Sequence, residues 1–126
     1  RDFCLSRGLG DVYKRQMLYD PEIYASRILP LKHIKYTHTV SYCYDVIHEN
    51  GGKQIGIPAM AAHYGIRNDE ILVFGDGPND VDMLRDVGFG VAMGNGCAKA
   101  KAAANYVTTD VDDDGIYRAL KELGVI

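Results

Sequence analysis

The sequence has 126 residues, of which 47% are hydrophobic, a formal charge of −3 and three scattered cysteines, Cys4, Cys43 and Cys97. No apolar run approaches the ~20 residues of a membrane helix, no basic stripe marks a nucleic-acid partner, and the cysteines form neither a disulfide framework nor a zinc spacing. One small domain or part of a larger one, in a reducing cytoplasm, is the expectation.

Residues 1–16 show neither the strand period nor the helix period. No apolar stretch follows their charges, so they are not a signal peptide. Asp11-Val12-Tyr13-Lys14-Arg15-Gln16 resembles the one-frame translation of a transposase mosaic-end sequencing adapter. The expectation is a foreign segment joined to a genuine frame, the alternative being a flexible N-terminal arm. Four basic and two acidic residues lie there, so the remainder stands at −5.

Between residues 17 and 33, with Pro21 and Pro30 as punctuation, a short helix is predicted around Pro21–Ile28. From Ile34 to Ile47, Tyr, Thr, Val and Ile alternate with polar residues and predict one or two half-exposed antiparallel strands. Asn50-Gly51-Gly52 breaks the chain. Pro58–Tyr64 is predicted as a helix, with Pro near its first turn and Gly65 past its end.

Ile71–Phe74 is wholly apolar and enters Gly75-Asp76-Gly77-Pro78-Asn79-Asp80, as a buried parallel strand enters a polar loop. A helix over Val81–Val87, a strand over Phe89–Met93, a turn at Gly94-Asn95-Gly96 and a helix over Ala98–Ala104 follow. Tyr106–Thr109 is a third strand and Gly115–Leu123 a last helix. This order predicts an α/β fold with a parallel, Rossmann-like sheet covered by helices on both faces. Ligands of such sheets sit beyond the carboxyl ends of the strands, where Asp76 lies.

Asp76 and Asp80 bracket a tight loop at a strand exit. Two close carboxylates repel unless a cation lies between them. Oxygen ligands without His or Cys suit a hard cation, Mg²⁺ above all, which takes one or two carboxylates and leaves room for a substrate phosphate. Gly75 and Gly77 allow a sharp turn and close approach, and Asn79 can donate to a phosphate oxygen. Taken alone, the turn reads as a helix cap with Asn79 or Asp80 as the N-cap. The whole string after an apolar strand favours the metal site.

Gly75-Asp76-Gly77-Pro78-Asn79-Asp80-Val81-Asp82-Met83-Leu84 resembles the fourth signature motif of the haloacid dehalogenase (HAD) superfamily. Gly90-Val91-Ala92-Met93-Gly94-Asn95, Tyr106-Val107-Thr108-Thr109 and Asp114-Gly115-Ile116 are similar to the segments that follow it in the Cof-type branch. Gly51-Gly52-Lys53, then Gly56-Ile57, resembles that branch's third motif, and the likeness covers roughly residues 34–126. It implies a phosphatase of small phosphate monoesters that works through an aspartyl-phosphate. Asp76 would bind Mg²⁺ directly. Asp80 would bind it through water or hold Asp76 and the loop in place. Asn79 would contact the phosphate. Lys53 would neutralise charge beside the transferring group, although by itself it reads as a solvated surface lysine. Asp76, Asp80 and Lys53 are thus the catalytic candidates, Asp76 and Asp80 the metal candidates, and Lys53 and Asn79 the phosphate candidates.

Two departures stand out. Gln54 follows the lysine where many relatives carry Gly, and no Asp-x-Asp-Gly-Thr string supplies the first motif's nucleophile. Nor can the second motif's Ser or Thr be placed. The resemblance therefore implies a C-terminal piece, inactive alone, with 1–16 foreign, 17–50 the tail of an inserted α/β cap and 51–126 the C-terminal part of the HAD-like core. The strand that would neighbour the one ending at Asp76 belongs to the missing motif, so an exposed sheet edge is expected. The expected partner is a small phosphorylated metabolite, with neither nucleic acid nor membrane, and the oligomeric state is open.

Two alternatives remain. A P-type cation pump carries a similar loop but continues Ala-Pro-Ala-Leu, where this chain has Val81-Asp82-Met83-Leu84. The other is a non-catalytic phosphate- or metal-binding module. Asp110-x-Asp112-x-Asp114-Gly115 imitates a calcium loop, but Lys121 stands where a bidentate Glu is needed, so it reads as an acidic turn capping the last helix.

Overall fold

The computed structural model describes residues 14–18, 22, 26–27, 30–40 and 43–126. The chain divides into two compact units, residues 1–52 and Lys53–Ile126. Among the described residues no helix is long and apolar enough to cross a membrane.

The first unit holds an antiparallel sheet of three strands, β1 (Lys14–Leu18), β2 (Ile34–Val40) and β3 (Cys43–His48), in the order β1-β3-β2. Where one or two antiparallel strands were expected over 34–47, the β-branched and aromatic residues form two, β2 and β3. The ladder slips between His38 and Val40. β1 crosses the boundary at Gln16 where the foreign segment was expected to end, and it pairs Gln16 with Asp45 and Met17 with Tyr44. A β-ladder is made by backbone groups, so many side-chain sequences can enter one. Asp45, on the central strand, is 2% exposed. The helix expected at 21–28 lies mostly outside the described residues; Ser26 Oγ donates to the Glu22 carbonyl at 2.6 Å.

The second unit begins at α1 (Lys53–Tyr64). This helix starts five residues before the expected position, so Pro58 lies inside it rather than in its first turn. Pro58 lacks the N–H that would meet the Gln54 carbonyl, a cost that the turn before it tolerates because packing offsets it. Ile57 and Ala61 give the helix its inward face. Its end follows the sequence signal: Gly65 takes a φ of +69°, and the Ile66 N–H donates back to the Ala61 carbonyl at 2.9 Å.

Three parallel strands follow, β4 (Leu72–Gly75), β5 (Phe89–Ala92) and β6 (Tyr106–Val107), side by side in chain order. The sheet is parallel, as the alternation of elements predicts, and among the described residues β4 pairs on one side only, with β5. Helix α2 (Val81–Asp86) connects β4 to β5, α3 (Ala98–Ala103) connects β5 to β6, and α4 (Gly115–Glu122) closes the chain. Met83 and Leu84 of α2 meet Ala92 of β5 and Ala100 of α3 in the core, with Val73 and Ile57 packed against them. Leu84, Ala92 and Ala100 are 0% exposed. The alanines of α3 matter for their small size, which lets the helix lie close to its neighbours.

β6 is two residues long rather than four; beyond it the Thr108 N–H still donates to the Ala92 carbonyl of β5 at 2.9 Å, and its side chain turns to another partner. Its buried Oγ1 donates to the Gly115 carbonyl at 2.7 Å and pins the start of α4. Thr108→Val should therefore lower stability by about 1–2 kcal/mol. Urea unfolding midpoints of the two proteins would measure the loss, and equal midpoints would show that the bond contributes nothing.

The acidic turn behaves differently from its expected role as a cap of the last helix. Asp110 accepts from the Asp112 N–H at 3.2 Å and so caps the short turn Val111–Asp113. Asp114 precedes α4 with a φ of +51°, and its side chain makes no capping bond to that helix. An N-cap residue normally has extended backbone, and Asp114 at a φ of +51° does not.

Candidate active site

The carboxyl end of β4 is shaped by one close approach. A Cβ on Gly75 would lie 2.6 Å from the Asp80 Cβ, so glycine alone lets the loop fold back there. Pro78 opens the single turn Pro78–Asp80, with its ring fixing φ where a helical start needs it. The turn runs directly into α2 and places Asp80 beneath the loop.

Asp80 is 4% exposed, and both of its oxygens are engaged. Oδ2 accepts from the N–H groups of Asp76 and Gly77, each at 3.1 Å. Oδ1 accepts from the Lys53 ammonium in a direct ion pair. Burial by itself raises the Asp80 carboxyl. The Lys53 ammonium and the two amides outweigh burial and hold it below the usual carboxylate range. Asp80 occupies the N-cap position of α2, yet its side chain makes no capping bond to that helix. Its carboxylate organises the loop before the helix instead.

Lys53, the first residue of α1, remains half exposed while it pairs with Asp80. The sequence placed it in a glycine-rich break; the helix that begins there gives the ammonium a fixed origin. Asn79 is half buried, and its Oδ1 lies over Gly77, 2.5 Å from where a Cβ would sit.

Asp76 has the opposite character to Asp80. It is exposed. Its N–H donates to Asp80, and its carbonyl accepts from the Cys97 N–H at 2.8 Å. Among the described residues its carboxylate makes no hydrogen bond or ion pair. The backbone is held on both sides while the acid is presented outward.

Of the two aspartates, Asp76 is the one whose carboxylate is open to a ligand. No group of three or more His, Cys, Asp or Glu is gathered to hold a metal among the described residues. The donor set nonetheless fits Mg²⁺, which uses one or two carboxylates and keeps water and phosphate as further ligands. Between the two roles open for Asp80, the engaged oxygens favour positioning over ligation, because ligation requires displacing Lys53 or an amide.

Lys53, Asp76, Asn79 and Asp80 are thus brought together on one helix start and one loop. The residues that sequence reasoning did not bring forward are Gly96 and Cys97. A Cβ on Gly96 would lie 3.2 Å from the Asp76 Cα and 2.8 Å from the Met93 carbonyl. Cys97 contributes its backbone, and it also packs against the core. Only the turn signal Gly94-Asn95-Gly96 marks this loop, and nothing in the string shows that it leans on Asp76.

Residues 13–120 match the family model for haloacid dehalogenase-like hydrolases. An uncharacterised protein from the pdhA 5′ region of Geobacillus stearothermophilus is 44% identical over 82 residues, 65% of this chain and 86% of that protein. The 5-amino-6-(5-phospho-D-ribitylamino)uracil phosphatase YitU of Bacillus subtilis is 40% identical over 78 residues, 62% of this chain and 29% of that protein. The structure of the HAD subclass IIB sugar phosphatase BT4131 superposes with a TM-score of 0.81 and 35% identity, over 93% of this chain and 45% of its own. This chain therefore spans under a third of the first phosphatase and under half of the second.

Proposed function

The chain belongs to the haloacid dehalogenase-like hydrolases, and on that footing we propose that it forms the magnesium- and phosphate-binding part of a Cof-type phosphatase of small phosphate monoesters. The observation that carries this reading is the division of labour between two aspartates. Asp80 is buried and bound to Lys53 and two amides, whereas Asp76 is exposed and its carboxylate makes no bond among the described residues. Such an arrangement presents one acid to a cation and spends the other on geometry.

In this reading Asp76 is the direct ligand, Asp80 sets the loop, and Asn79 and Lys53 meet the phosphate. Bound Mg²⁺ would neutralise charge on the phosphoryl oxygens and help orient them. Lys53 is already anchored beside the loop by Asp80, so its ammonium adds a second positive charge without needing to be ordered on binding. YitU and BT4131 act, by their names, on a phosphorylated ribityl compound and on sugar phosphates. Their kinship supports a small phosphorylated metabolite as substrate.

The family's covalent step needs a carboxylate nucleophile from an Asp-x-Asp-Gly-Thr string, and the sequence contains none. We therefore expect the 126-residue chain to bind without turning over. Calorimetric titration with Mg²⁺, then with inorganic phosphate in the presence of Mg²⁺, should show metal binding and metal-dependent phosphate binding. Hydrolysis of p-nitrophenyl phosphate should not exceed the blank. Metal-dependent hydrolysis would overturn the expected inactivity, and absence of any Mg²⁺ response would overturn the metal reading.

A further inference from the structure

We propose that Asn95 is a positioning residue for Asp76, acting through the loop between β5 and α3; the inference rests on Asp76 being the cation ligand. The loops that leave β4, β5 and β6 lie at the same end of the parallel sheet. Their backbones are stitched in sequence. The Cys97 N–H donates to the Asp76 carbonyl at 2.8 Å, and the Gly94 N–H donates to the Thr109 carbonyl at 2.9 Å. The Gly96 N–H closes the turn on the Met93 carbonyl at 2.8 Å.

Asn95 stands at the tip of that turn. Its Oδ1 accepts from the Val111 N–H at 3.1 Å, across sixteen residues of sequence. Among the described residues this is the one side-chain tie between the tip and the turn that follows β6. Gly94 and Gly96 flank it and restrain the chain weakly by themselves. Without the tie, the base of the loop remains bonded but its tip is free to swing. The first group to feel the swing is the Cys97 amide, two residues on, which fixes the Asp76 peptide. Asn95 does not touch Asp76. It sets the loop that does.

The acceptor oxygen is the working atom, which separates this role from side-chain bulk. Asn95→Ala removes it, and Asn95→Asp keeps an oxygen in place. The experiment is amide hydrogen exchange and Mg²⁺ titration of the 126-residue chain, both followed by NMR, on wild type, Asn95→Ala and Asn95→Asp. In Asn95→Ala the Cys97 amide should exchange about tenfold faster, while the Leu123 amide, bonded within α4 to the Ala119 carbonyl, should change less than about twofold. Mg²⁺ affinity should fall about three- to tenfold, less than for a group bonded directly to a ligand, and Asn95→Asp should recover most of both effects. Unchanged exchange at Cys97 in Asn95→Ala overturns the positioning role, whatever the metal does. Equal acceleration at Cys97 and Leu123 also overturns it, because it reports general loosening. If wild type shows no Mg²⁺ response, the ligand role of Asp76 fails, and exchange at Cys97 still decides whether Asn95 holds that peptide.

Discussion

Asp76→Asn should weaken Mg²⁺ binding by about 100-fold or more while leaving the metal-free melting temperature nearly unchanged. The first half follows from the ligand set. Magnesium leans on one or two carboxylates, and Asp80 is already engaged with Lys53 and two amides. Losing a direct anionic ligand should cost more than the ten- to hundredfold typical of an outer partner. The second half follows from exposure. The Asp76 side chain makes no bond among the described residues, and its peptide groups remain available to Asp80 and Cys97 after the substitution. Calorimetry and a thermal melt on the same sample test both halves. Wild-type affinity in the variant would move the cation site elsewhere, and a large fall in melting temperature would show that Asp76 has a structural role.

Asp80→Ala should do the reverse, costing about 2–4 kcal/mol at neutral pH whether or not metal is present. It leaves the Asp76 and Gly77 amides without their acceptor and empties a site that is 4% exposed. The lost attraction to Lys53 adds little, because that side chain is half exposed and screened by solvent. The pH dependence has a definite sign. The folded Asp80 carboxyl lies below its ordinary value, so its ionisation contributes in full above roughly pH 4 and is lost as pH falls through the lower folded value. Urea unfolding at pH 7 and at pH 3 should therefore show the gap between wild type and Asp80→Ala narrowing in acid. A gap of constant size would assign the effect to packing alone.

The parallel unit could be read from the string because its signals are local. Ile71-Leu72-Val73-Phe74 is apolar throughout and ends in glycine, and each later strand or helix carries its own punctuation. The strand and helix ends of that unit fall a residue or two from the expected ones, as at β6, which stops at Val107 rather than Thr109. The sequence starts the helix at Pro58 because proline inside a helix is rare, and no local rule reports that α1 begins at Lys53 and carries Pro58 within it. At the candidate site, the string brought forward Lys53, Asp76, Asn79 and Asp80. It left open whether Asp80 ligates or positions, because that depends on how its two oxygens are shared between Lys53, 27 residues upstream, and the loop amides. The contact of Gly96 and Cys97 with Asp76 was not legible, since a backbone amide carries no residue signature.

The clamping of the Asp76 peptide from two sides changes what a cation must accomplish on arrival. A loop ordered by its ligand gives up roughly 1–2 kcal/mol of backbone entropy for each residue fixed. Here the Asp80 carboxylate and the Cys97 amide have already fixed that backbone during folding. What remains loose at Asp76 is two side-chain torsions, a small disorder to remove. Binding enthalpy can then go into contacts with the ion and its anionic guest rather than into ordering the chain, so weak intrinsic ligands can still hold a strongly hydrated ion.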